Sequence, residues 1–91
     1  MHAVVVKVNI GDAESAQKEL TERIVPGASG APGFVAGHWT RSDDGSNGLS
    51  MLVFETEEAA RAMADRIRGA DWMPQMVTLE SAEVREVIAN A

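Results

Sequence analysis

The stretch LSMLVFETEEAARAMADRIRG, residues 49–69, decides the fold. Leu49, Met51 and Val53 alternate with Ser50, Leu52 and Phe54, and a period of two over six residues predicts a strand running to about Glu55. Thr56 then suits the N-cap of a helix, because its hydroxyl can accept from a free backbone N–H of the first turn. Glu57 and Glu58 in that turn and Arg66 and Arg68 in the last one match the helix dipole, and Gly69 ends the segment. Ala60, Met63, Ala64 and Ile67 recur at three and four residues and form its apolar stripe. Arg61, Arg66 and Arg68 lie among Glu57, Glu58 and Asp65, which reads as a solvated helix face rather than a basic patch.

Upstream, Asp43, Asp44, Gly45, Ser46, Asn47 and Gly48 concentrate residues that tolerate tight turns, so the strand is entered from a hairpin. Its partner runs from Phe34 to Arg41. Pro26, Gly27, Gly30, Pro32 and Gly33 separate that strand from a first helix, which is predicted to end or kink near Val25. Asp12 caps this helix, and Ala13, Ala16, Leu20 and Ile24 form its stripe. A valine-rich strand from Ala3 to Ile10 precedes it, with Val4, Val6, Val8 and Ile10 on one side. Downstream, a loop holding Asp71, Trp72 and Pro74 leads to a last strand within Val77 to Ile88.

The order is therefore β-α-β-β-α-β, an α+β ferredoxin-like arrangement with a four-stranded antiparallel sheet and two helices on one face. At 91 residues, with 45% hydrophobic and 24% charged residues, the chain has material for a single domain over 1–91 and one core. A formal charge of -6 opposes binding to nucleic acid. There is no cysteine, which excludes disulfides, thiolate nucleophiles and Cys-based zinc sites. Met1 to Ile10 carries no basic leader, and Lys7 and Asn9 interrupt its apolar run. Neither a signal peptide nor a spanning helix is expected, and the cytoplasm is the expected compartment.

Two helices cover one face of such a sheet, and the valine side of the first strand is their natural floor. A hairpin pairing Arg41 with Leu49 puts Val35, Trp39, Met51 and Val53 on that helix side. The reverse face then presents Val5, Lys7, Asn9, Phe34, Ala36, His38, Thr40, Ser50, Leu52 and Phe54. Such a face is too apolar for water and too polar for a plain core. Pairing two copies would hide several hundred Å² per chain, worth on the order of 10 kcal/mol at about 25 cal/mol per Å² before association costs. A homodimer in the form of an α/β barrel is the expected outcome.

Ala31-Pro32-Gly33-Phe34 entering the second strand and Val53-Phe54-Glu55-Thr56-Glu57-Glu58-Ala59-Ala60 crossing into the second helix resemble the antibiotic biosynthesis monooxygenase-like, dimeric α/β-barrel superfamily. The resemblance covers nearly the whole chain, and its motifs speak to architecture more than to activity. It implies one of three things: a cofactor-independent oxygenase of quinols or polyketide aromatics, a haem-degrading enzyme, or a barrel without assigned chemistry. The haem-degrading branch implies an Asn on strand one, a Trp at the end of strand three and a His near helix two. Here Phe54 stands at the Trp position, the second helix has no His, and Asn9 lies at the end of its strand.

His38 is the histidine within a predicted element, and an imidazole facing a cavity can act as general base. Its ordinary alternative is a hydrogen-bonded strand residue. Asn9 and Lys7 could orient a carbonyl or an anion, or simply solvate the rim. Trp39 alternates to the side opposite His38 and reads as packing; Trp72 reads as a lid or as a loop anchor. Ser50 and Thr40 have no His and Asp arrangement around them, so no hydrolase triad is expected. Neither metal-ligand spacing nor a cofactor motif is present, and no cofactor is expected. Taken together, these residues predict a small hydrophobic or aromatic ligand between sheet and helices. Its candidate contacts are Lys7, Phe34, Thr40, Ser50, Leu52, Phe54 and Trp72, with His38 and Asn9 as candidate catalytic groups. A cofactor-free monooxygenase and a purely structural or regulatory dimer are the competing expectations.

Overall fold

A computed structural model describes residues 1–69 and 77–91, and the Trp72 loop lies outside them. The chain runs β1 (His2–Ile10), α1 (Ala13–Glu19), a π-helical turn (Leu20–Ile24), α2 (Val25–Ser29), β2 (Phe34–Arg41), β3 (Asn47–Phe54), α3 (Glu57–Arg68) and β4 (Val77–Glu86). The sheet order is β2-β3-β1-β4, with β1 antiparallel to both β3 and β4 and β2 antiparallel to β3. This is the ferredoxin-like α+β arrangement that the element order implies, with the helices packed on one face. Among the described residues no helix is long and apolar enough to cross a membrane.

Both helix starts follow their capping residues. The Asp12 carboxylate accepts from the Ser15 N–H at 3.2 Å, and the Thr56 hydroxyl accepts from the Ala59 N–H at 3.1 Å. Glu57 and Arg61 pair one turn apart along α3, and Arg68 reaches from its last turn to the Ala82 carbonyl of β4. At the start of β2, Gly33 adopts a positive φ of 78° and its carbonyl accepts from the Glu55 N–H at 2.8 Å. A side chain there would press on Ala59, 3.0 Å from an added Cβ, so Gly33 is needed both for its backbone and for its closeness to α3.

The first helix does not end near Val25. It continues to Ser29 through a widened turn in which the Val25 N–H donates to Leu20 O, five residues back. Pro26 has no N–H, and its ring would crowd the carbonyl four residues earlier in a regular helix. The wide turn relieves that conflict. It also keeps the stripe straight. Apolar residues at 16, 20, 24 and 28 are spaced by four, which drifts by about 40° per step around an ordinary α-helix. More residues per turn cancel the drift, so Ala16, Leu20, Ile24 and Ala28 all face the sheet.

The hairpin register differs from the sequence expectation by one residue. Arg41 pairs with Gly48, Thr40 with Leu49, Trp39 with Ser50 and His38 with Met51. The loop itself sets this. Asp44 Oδ1 accepts from the Ser42 hydroxyl at 2.8 Å and from the Ser46 N–H at 2.9 Å, and the Ser42 N–H donates to Asn47 O at 2.9 Å. The loop therefore closes at Ser42 and Asn47. A slip of one residue exchanges the faces of β3. Ser50, Leu52 and Phe54 lie on the helix side, level with Val6, Val4 and His2 of β1, while Met51 and Val53 turn to the open side. A bulge between Phe34 and Ala36 keeps Phe34 beside Phe54 and leaves Val35 exposed.

The core is thus made of Val4, Val6, Leu52 and Phe54 from the sheet, Ala28 from α2, Ala60, Met63, Ala64 and Ile67 from α3, and Ala82 from β4. Phe54 and Val4 are its largest fully buried side chains. Phe34 meets the Phe54 ring edge-on, with centroids 5.8 Å apart.

Candidate functional site

The core does not fill the whole space between sheet and helices. Toward the hairpin end lies a cleft of about 470 Å³, floored by Val6, Val8, Ile10, Ser50 and Leu52. Ala13, Ala16, Leu20 and Ile24 form one wall, and Met63 and Ile67 of α3 form the other. These small and aliphatic side chains leave room because Gly48 contributes no side chain opposite Val8 and because Ala13 and Ala16 are short. Trp39 stands on the floor at the β2 side. An apolar concavity of this size with a few polar groups fits the ordinary form of a small-molecule site.

Those polar groups come from different elements. Gln17 and Thr21 come from the first helix and its wide turn, Thr40 and Ser50 from the hairpin, and Arg23, Arg41 and Arg66 bring three guanidinium groups to the lining. Glu19 is the lining carboxylate among the described residues, and it pairs with Arg23 at 3.0 Å. Arg41 donates to Gln17 Oε1 at 3.2 Å, which ties the end of β2 to α1. The Thr21 hydroxyl turns inward to its own helix, donating to the carbonyls of Gln17 and Lys18.

The residues singled out from sequence divide between the two faces. Ser50 and Leu52 line the cleft, and Thr40 borders it at the hairpin end, its hydroxyl donating to Leu49 O on the neighbouring strand. Phe34 and Phe54 do not line it; they pack against one another, with Phe54 in the core. All four of Phe34, Ser50, Leu52 and Phe54 had been expected on the open face; the hairpin register moves Ser50, Leu52 and Phe54 across, and the bulge in β2 moves Phe34. His38, Asn9 and Lys7 lie on the open side, so they cannot contact a molecule held between the sheet and the helices of their own chain. Asn9 Nδ2 donates to Glu80 Oε1 at 2.9 Å, beside the bulge where β1 shifts register against β4. Trp72 falls outside the described residues.

Sequence reasoning missed the cleft arginines. Arg41 shares its parity with Trp39, so its side of the sheet was legible, but nothing local announced that a cavity would end there. Arg66 reads as part of a solvated face, yet it adjoins Ile67 and borders the cleft.

No protein-family model matches the sequence, and no curated protein matches it. Solved structures do match the fold. A variant of MhuD with two manganese protoporphyrin IX molecules bound per active site superposes with a TM-score of 0.66 at 14% identity, covering 100% of this chain and 98% of that one. A monooxygenase from the gene ActVA-Orf6 of Streptomyces coelicolor, in complex with nanaomycin D, gives a TM-score of 0.58 at 20% identity over 99% of this chain and 92% of that one. The chain shares the fold of these two proteins. The haem degrader MhuD from Mycobacterium tuberculosis, with two haems in its active site, matches with a TM-score of 0.50 at 24% identity over 97% of this chain and 98% of that one. The residues that the haem-degrading branch would require are not brought together here. Asn9 is on the other side of the sheet from the cleft, Phe54 is sealed in the core, and α3 has no histidine.

Proposed function

We propose that this protein binds a small apolar, partly aromatic molecule in the cleft between sheet and helices and works as a cytoplasmic homodimer paired through its open sheet face. The observation that carries the first part is the cleft itself, with aliphatic walls, an aromatic floor residue in Trp39 and a short list of polar groups at its edge. A domain of this size leaves such a volume unfilled at a cost in stability, since packing it would add contacts. That cost is understandable when a ligand takes up the space. The homodimer is supported by Met51 and Leu49, which stand 45% and 46% exposed on the open face beside the half-buried Val5 and Val53.

A thermal-shift screen with naphthols, hydroquinones and flat polycyclic metabolites is the direct test. Binders should raise the midpoint, and filling the cleft with Ala16→Trp should abolish the shift. If no member of such a panel stabilises the protein, the ligand-binding reading fails.

A second reading is an oxygenase that needs no cofactor, favoured by the shared fold with the ActVA-Orf6 monooxygenase. In it an electron-rich aromatic supplies the electrons and the cleft excludes water. His38 is on the wrong face to be the base in its own cleft, so the substrate would have to enter already ionised. Oxygen uptake with hydroquinones that depends on pH through the substrate's own ionisation, and that is unchanged in His38→Ala, is the expected signature. Absence of uptake across the panel removes this reading and leaves simple binding.

A further inference from the structure

The arginines of this chain fall into two groups. Arg23, Arg61, Arg68 and Arg85 each have a carboxylate partner, at 3.0, 2.5, 3.5 and 2.6 Å respectively. Arg41 and Arg66 have none among the described residues, and both line the cleft. In a chain with 14 acidic and 8 basic residues, a cation finds an acidic neighbour readily, and four of the six arginines do so. The two left without one border the same apolar cavity from different elements, the end of β2 and the last turn of α3.

We propose that the ligand of this cleft is an acid: an aromatic body carrying a carboxylate or an ionised phenol, which Arg41 and Arg66 receive. The inference rests on the reading of the cleft as a ligand site and names the chemistry of what fills it. Gln17 supports it. Its amide oxygen accepts from Arg41 Nη1, so the guanidinium is held by a neutral group and keeps its charge uncompensated. A planar guanidinium can offer two parallel N–H groups to a carboxylate, and such charge-assisted bonds gain strength where apolar walls exclude water. Glu19 does not compete for this role, because Arg23 already holds it. The aliphatic lining and Trp39 would take the ring system while its anionic end stays at the arginine-bearing edge. A neutral hydrocarbon would occupy the same walls but leave two cations facing an empty rim.

The test compares two probes with one skeleton on the full chain: anilinonaphthalene sulfonate, an anion, and N-phenylnaphthylamine, its uncharged parent. Fluorescence titration should give the anion an affinity at least about tenfold higher, consistent with one or two hydrogen bonds to charged groups. The preference should shrink with added salt. Arg41→Gln and Arg66→Gln should each reduce it and the double variant should remove it, while Arg66→Lys retains part of it. Equal affinity for the two probes, or a preference that survives in the double variant, overturns the proposal while leaving the cleft as a ligand site. Binding of neither probe, or binding that persists in Ala16→Trp, overturns the cleft reading itself and the acid assignment with it.

Discussion

The indole of Trp39 lies over Gly37, two residues earlier on the same face of β2, so closely that a Cβ built on Gly37 would sit 2.7 Å from Trp39 Cη2 and 3.2 Å from Phe34 Cζ. The absence of a side chain at 37 therefore decides where the aromatic floor residue of the cleft stands. Gly37→Ala should push the ring toward the cavity, with a loss of about 1–3 kcal/mol typical of overpacking. In a Trp72→Phe background, where Trp39 is the remaining tryptophan, its emission maximum and its quenching by acrylamide should both change. An unchanged spectrum would mean that the ring is placed by something other than this contact.

Phe54 bears the largest share of the packing. It is fully buried and meets Phe34 edge-on, so truncating it removes both a ring and a partner. Phe54→Ala should cost about 3–5 kcal/mol, much of the total stability of a small domain. Phe34, only half-buried, should cost clearly less on the same change. Urea unfolding of both variants measures the difference, and comparable losses would contradict the one-sided placement of Phe54.

Acid should loosen the hairpin. Hydrogen bonds from the Ser46 N–H and hydroxyl, and from the Ser42 hydroxyl, lower the Asp44 carboxyl from 3.8 to about 2. The Ser15 N–H and hydroxyl lower Asp12, and Arg61 lowers Glu57 through its hydrogen bond and its charge. A carboxyl that is more acidic when folded contributes stability that is complete above its unfolded value and is lost as pH falls through the folded one. The thermal midpoint should therefore drop between pH 3.8 and about 2. Asp44→Asn should lower the midpoint at neutral pH and flatten that acid limb; an identical slope would show that Asp44 is not coupled to folding.

Met51 sits between Val5 of β1 and His38 of β2 in the middle of the open face. If two copies meet there, Met51→Asp places like charges near the centre of the contact and should weaken association by about a hundredfold or more. Sedimentation at micromolar concentration should show a dimer for the parent chain and a monomer with unchanged circular dichroism for the variant. A parent chain that sediments as a monomer would dispose of the pairing.

Strands, helices and caps were legible because each rests on neighbours in sequence: Thr56 and Gly69 bracket α3, and β2 spans the residues its alternation marks. What was not legible depended on counts between distant groups. The register of β2 on β3 follows from Asp44 gathering Ser42 and Ser46, and alternation alone cannot say which residue closes the loop. That one step moved Leu52 and Phe54 from the open face to the core, while His38 stays on the open face where its alternation puts it. The cleft arginines were hidden for a related reason, since Arg66 has the local surroundings of a solvated side chain and gains its meaning from elements far away in the chain.

The wide turn between Leu20 and Ile24 makes the chain tolerant of losing one residue just there. Deleting Thr21 would let the coil tighten to its ordinary pitch, and the spacing of Ala16, Leu20, Ile24 and Ala28 would become four, three and four, which an ordinary α-helix keeps within about 60° on one side. Ala28 would stay on the sheet, and the carbonyl of Gly33 would still meet the Glu55 amide that anchors the entry to β2. The same deletion within Ala13–Glu19, where there is no spare residue to absorb it, would turn everything after it by about 100° and carry Ala28 away from its seat.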